Sequence, residues 1–160
     1  MLRVASLVLL SSCLAYGQHD AQAQDHHNVV KEHGDKVMGF SHEKTTHHFV
    51  LTQDGGLIEA RVNDLKDAAS LSEIRDHFQH IVRMFADGNF NAPMLVHSQD
   101  VPGTAAMTHL KTELHWELQE IPRGARITIT ADNKNALDAV HEFLRFQIAD
   151  HQTGDCTAVR

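Results

Sequence analysis

Residues 114–149 read LHWELQEIPRGARITITADNKNALDAVHEFLRFQIA. Trp116 and Leu118 fall on one side of an extended segment, and Ile127 and Ile129 on one side of a second. That alternation is the period of a strand with one face buried. Between them Pro122-Arg123-Gly124 supplies turn residues. After Asp132 the period lengthens. Leu137, Val140, Leu144 and Ile148 form one stripe of a helix, with Phe143 on its shoulder. Asn135 suits the cap of that helix, and Asp138 the positive end of its dipole. Phe146 falls nearly opposite the stripe, so it must pack under another segment or a partner.

An earlier stretch, residues 48–87, repeats the pattern. His48-Phe49-Val50-Leu51 answers His115-Trp116-Glu117-Leu118, and Asp54-Gly55-Gly56 answers the later turn. A helix follows, with Ser70 and Glu73 at capping-box spacing and Ile74, Phe78, Ile81, Val82 and Phe85 on one stripe, ended by Gly88. Neither unit can bury its apolar face alone. The chain is therefore expected to be α+β: a four- to five-stranded antiparallel sheet with two long helices on one face, built from two strand-strand-helix units in pseudo-repeat. Met94-Leu95-Val96, after Pro93, reads as the short extra strand, and Val101-Pro102-Gly103 leads into a short helix holding Met107 and Leu110. The other sheet face is expected to be solvent-exposed or covered by the N-terminal arm.

The 160 residues suffice for one ordinary core. A formal charge of −7 without a cluster of Lys and Arg argues against a nucleic-acid surface. No apolar run approaches the ~20 residues of a transmembrane helix. The first residues do carry a targeting pattern: a basic start at Arg3, the apolar run Val4 to Leu10 broken by Ser6, and small residues at Ala15 and Gly17. Residues 1–17 are thus read as a signal peptide, and the protein as exported, periplasmic or secreted. The rival pattern is Leu10-Ser11-Ser12-Cys13, a lipobox that would acylate Cys13 and anchor the chain at a membrane. Residues 18–44 read as a flexible His-rich N-terminal arm, 45–151 as the single folded domain and 152–160 as a C-terminal tail. Cys156, the one other cysteine, has no internal partner once Cys13 is removed.

Histidine is the chemical peculiarity, with fourteen in the chain. His77, His80 and Met84 share a face of the first long helix, and imidazole nitrogen with thioether sulfur suits copper. His48 and His115 occupy corresponding positions in the two hairpins. With Glu117 they would make a two-histidine, one-carboxylate set if the repeat brought them together. His19, His26, His27 and His33 resemble a tract that binds divalent metals loosely. His141 and His151 border a core stripe, where a structural role is expected. There is no HExxH, phosphate loop, G-x-S-x-G elbow or CxxC, and no catalytic residue is assigned.

The blocks GDKVMGFSHEKTTHHF (34–49), PMLVH (93–97) and HEFLRFQIADHQTGD (141–155) resemble a family of short exported bacterial proteins, some of them labelled aspartate carbamoyltransferase. The resemblance covers nearly all of the chain beyond the signal. The label implies carbamoyl transfer, but the Ser-x-Arg-Thr-Arg phosphate motif of such transferases is missing here. The resemblance therefore implies export and a bacterial source, and carries over no functional residue. The functional expectation is a binding protein for a transition metal, copper or zinc. The alternative is an envelope protein-interaction module using the exposed sheet face and Phe146, and the third reading is a small hydrolase or transferase.

Overall fold

The structure, a computed structural model, describes residues 14–160, with side chains from residue 25 onward except His27. Most of the expected signal segment, including Cys13, lies outside the described residues, as does the side chain of His19. The chain is α+β. In order come α1 (Leu14–Met38), β1 (Thr45–Thr52), β2 (Gly55–Val62), α2 (Ala68–Ala86), α3 (Asn91–His97), α4 (Thr104–His109), β3 (Leu114–Ile121), β4 (Gly124–Ala131) and α5 (Lys134–Asp150). The four strands form one antiparallel sheet in the order β1-β2-β4-β3. Each hairpin thus keeps its own pair, and the hairpins join along β2 and β4, where Ile58 pairs with Ile127.

Both hairpins turn on two residues, Gln53-Asp54 and Pro122-Arg123. Gly55 and Gly56, expected in the first turn, belong instead to β2. A Cβ on Gly55 would lie 2.0 Å from the Ile129 carbonyl oxygen, and one on Gly124 would lie 1.9 Å from that of Ala60. Glycine at these two sites is what lets the backbones of β2 and β4 close on each other.

The core lies between the sheet and the helices. Phe49, Leu51, Ile58, Ile127 and Ile129 face Ile74, Phe78 and Phe85 of α2 and Val140 and Leu144 of α5. Phe49 and Trp116 both pack on this side, Trp116 against Phe85 at a ring separation of 5.3 Å. The opposite face is polar. Glu59 is buried there, its carboxylate accepting from Arg126 Nε at 2.7 Å and paired with Arg61 as well. Paired guanidinium groups are the usual condition for burying a carboxylate.

The helix caps lie near the expected positions without coinciding with them. Asp67, three residues before Ser70, accepts from the Ser70 amide at 3.0 Å and starts α2. Those bonds hold its carboxyl below the ordinary value. Asn133, not Asn135, caps α5 through the Ala136 amide at 3.0 Å. Asp138 pairs with Lys134 one turn back.

Three further sequence expectations are corrected. Met94-Leu95-Val96 is not a strand. It lies in α3, whose first turn accommodates Pro93 because an amide there has no helical partner. Residues 18–44 are not a flexible arm, since α1 runs to Met38 and packs on α3. Its contact stripe is Val30, Gly34, Val37 and Met38, and buried Gly34 gives α3 room, with Val96 3.9 Å from where a Cβ would stand. Apolar periodicity fails to reveal such a stripe because one of its members is a glycine.

The third correction concerns residues 152–160, which do not trail away. Asp155 accepts from the Phe49 amide at 3.0 Å, and the Arg160 amide donates to Leu51 O at 3.0 Å, so the tail covers the free edge of β1. Edge strands left open invite pairing with other chains. No helix among the described residues is long and apolar enough to cross a membrane.

Candidate functional site

A cavity of about 80 Å³ opens between the sheet and the helices where four histidines meet. β1 contributes His47, which alternates with His48 and so points inward beside Phe49. α2 contributes His77, α3 contributes His97, and His151 follows the last turn of α5. Met38, at the end of α1, closes one side. Most of the remaining wall is aliphatic or aromatic. Among the lining residues the polar donors are these four imidazoles, the Met38 thioether and the Gln147 amide, with no carboxylate, hydroxyl or thiol.

The rings are ordered by their neighbours. His97 is 1% exposed, its Nδ1–H donating to Asp150 Oδ2 at 2.5 Å, while its Nε2 meets Gln147 Oε1 at 3.0 Å. Asp150 also takes His26 of α1 on its other oxygen, at 2.9 Å. The His151 ring stands edge-on to His97 at 4.8 Å and nearly parallel to His47 at 6.0 Å. Phe40 lies 5.6 Å from both His47 and His77.

Burial pushes the His47 imidazole down to about 4, helped by the positive charge that His48 and His42 would carry. Burial likewise pushes His77 down to about 4, with His47 and His80 acting in the same direction. Both rings are therefore uncharged at neutral pH. The neutral ring is the form with a lone pair for a metal or a hydrogen-bond donor.

No family model matches the chain, and no curated protein or solved structure is significantly similar to it.

The residues singled out in the sequence are only partly gathered here. His77 enters the cavity, whereas His80 is exposed and Met84 packs half-buried on the core. The three share a helix face, but only His77 lines the cavity. His48 and His115 do not meet at all. They sit on β1 and β3, the two outer strands, with β2 and β4 between them. Two intervening strands separate their backbones by about 14 Å. His48 bonds Asp155 at 3.1 Å, His115 bonds Asp132 at 2.9 Å, and Glu117 is exposed. Among the described residues no three His, Cys, Asp or Glu side chains are grouped to hold one ion.

His141 has the structural role expected of it. Its Nε2–H donates to the Thr52 and Gly55 carbonyls at 2.9 and 3.1 Å, tying α5 to the first hairpin turn. The segment that Phe146 needed is α3, since the His97 ring stands 5.0 Å away. His47, His97 and Met38 were not expected in a site, and His151 was expected only in a structural role beside the core stripe of α5. For His47 a signal existed: it lies two residues from Phe49, on the inward side of the strand. For the other three no local pattern shows that they share a space, because they converge only in the fold.

Proposed function

We propose that the protein is an exported binding protein for a transition-metal ion, copper or zinc, held at the histidine cavity. The observation that carries this reading is the donor set of the wall. Imidazole nitrogen and thioether sulfur are ligands for copper, and imidazole for zinc, and here they are the main polar groups in an otherwise apolar pocket. Two of the imidazoles are kept neutral by burial, which is the ligating form. The blocks that carry the family resemblance support the same location, since residues from all three wall this one cavity. Export rests on the basic start and apolar run of residues 1–10 and on the small residues at Ala15 and Gly17.

The test is a titration of the metal-free full chain with Cu(I), Cu(II) and Zn(II), followed by thermal melting. A bound ion raises the melting temperature by mass action. His47→Phe and His77→Phe, which keep a ring in place, should weaken binding, while His115→Gln, remote from the cavity, should leave it unchanged. No saturable binding tighter than about 10 μM, or binding indifferent to His47 and His77, would remove the reading.

A further inference from the structure

The two edges of the sheet are finished differently. At β1 the Asn63 amide donates to Lys44 O at 2.8 Å, in the register of the β1-β2 pairs. Hydrogen-bonded pairs recur at every second residue of an antiparallel ladder, so the even-numbered residues of β1 bond to β2. Phe49 and Leu51 therefore turn their N–H and C=O outward, where Asp155 and Arg160 meet them. At β3 the Asp132 amide donates to Glu113 O at 2.9 Å, in the register of the β3-β4 pairs. Here the odd-numbered residues bond to the neighbouring strand, and Trp116, Leu118 and Glu120 turn their N–H and C=O outward. Among the described residues no group is bonded to these.

We propose that the free edge of β3 pairs with the same edge of a second copy of the chain, about a two-fold axis at Leu118. The two four-stranded sheets then become one continuous antiparallel sheet, independently of any metal in the histidine cavity. β3 lacks the common devices that blunt an edge. Its ladder to β4 runs without a bulge from Leu114 to Ile121, and it holds no proline and no lysine.

The side chains of β3 complement a reversed copy of themselves, which is what a two-fold interface requires. Outward groups have to meet outward groups, so residues of like parity stand opposite each other. An axis at Glu117 sets two carboxylates face to face, an unfavourable pair. An axis at Trp116 needs the edge at Leu114, which is buried, and one at Gln119 sets Trp116 against the turn at Pro122. With the axis at Leu118, the outward groups of Trp116, Leu118 and Glu120, none of them buried residues, make about six backbone hydrogen bonds. On the polar face Glu117 meets Gln119 of the partner subunit, twice. Both side chains are exposed, and a carboxylate accepts well from an amide N–H. On the core face Leu118 meets its own copy, and Glu120, its charge already answered by Arg75 at 3.2 Å, lies opposite Trp116 of the partner subunit.

A ladder over residues 115–121 buries less than the ~1,200 Å² of a small standard interface, so the dimer is weak and concentration-dependent. The experiment uses the full chain, metal-free, in sedimentation velocity from about 10 μM to about 1 mM, with amide hydrogen exchange at both limits. The expected result is a shift from monomer to dimer, with exchange at the Trp116, Leu118 and Glu120 amides slowed more than about fivefold. Gln119→Glu sets like charges opposite each other twice and should weaken the dimer by about tenfold. Combining it with Glu117→Lys restores opposite charges and should restore the dimer. Leu118→Pro removes an outward N–H and no bond within the sheet, and should leave the chain monomeric.

Near-UV circular dichroism checks the fold of each variant. If Leu118→Pro does not fold, Gln119→Glu and its rescue decide. A chain that is monomeric at about 1 mM, with fast exchange at the three amides, overturns the second copy as occupant and leaves the edge to another polypeptide. A dimer with fast-exchanging edge amides has its interface elsewhere, and slow exchange in the monomer means that the chain covers this edge itself. Either result overturns the proposal. Protection at the edge that is indifferent to Gln119→Glu overturns the axis at Leu118.

Discussion

His97 and Asp150, fifty-three residues apart, are joined by a 2.5 Å hydrogen bond, and the same carboxylate accepts from His26 at 2.9 Å. One side chain at the end of α5 thereby ties down α3 and α1, two of the helices that wall the cavity. Asp150→Ala should cost about 1–3 kcal/mol in urea unfolding, because it leaves the buried His97 donor unpaired. Adding His97→Phe should recover part of that loss, since no donor then remains to satisfy. A double-mutant cycle with no coupling would show the bond to be incidental.

The stability of the metal-free protein should fall as the pH drops from about 6.5 to about 4. Folded His47 and His77 resist protonation until about 4, whereas the unfolded chain takes up those protons near 6.5. In that window the unfolded state binds more protons, so stability increases with pH, and below the window the contribution is flat. His77→Phe should flatten the slope of melting temperature against pH between those limits. An unchanged slope would mean that His77 protonates freely in the fold.

Asp155→Ala should release the segment that covers the edge of β1. Burial works to raise the Asp155 carboxyl, but the Phe49 amide, the Thr153 hydroxyl and His48 together hold it below its ordinary value. Its contribution is therefore present above pH 3.8, the unfolded value, and lost as the pH falls through the lower folded one. The substitution should cost about 1–2 kcal/mol and speed hydrogen exchange at the Phe49 amide. Exchange at Phe49 as slow as in the parent would show that the edge is protected by something other than the tail.

Asp67→Ala should destabilise the protein by about 1 kcal/mol through the lost cap of α2. Glu73→Ala, at the position a capping box starting from Ser70 would need, should change stability by less than about 0.5 kcal/mol, because Glu73 is exposed and caps nothing. Equal losses for the two, measured by urea unfolding, would return the cap to the Ser70 register.

The two hairpins and the two long helices are legible in the sequence because their periods are local. Trp116, Leu118, Ile127 and Ile129 show the strand period, and Leu137 to Ile148 the helix period, without knowledge of any contact. The inward side of β1 is legible for the same reason, and His47 lies on it by its spacing from Phe49. α1 was not, since its docking stripe includes Gly34, a residue that signals a break unless the helix it makes room for is known.

Sequence alone determined the fold class, the approximate extents of the strands and of α2 and α5 and the abundance of imidazole, because each depends on neighbours within about eight residues. Tertiary structure decided which histidines share a space. Strand order put β2 and β4 between His48 and His115, so their matching positions in the hairpins keep them apart. Met38, His47, His77, His97 and His151 come instead from the ends and inner faces of five separate segments. Convergence of that kind is set by how helices close over a sheet, and no periodicity in the chain encodes it.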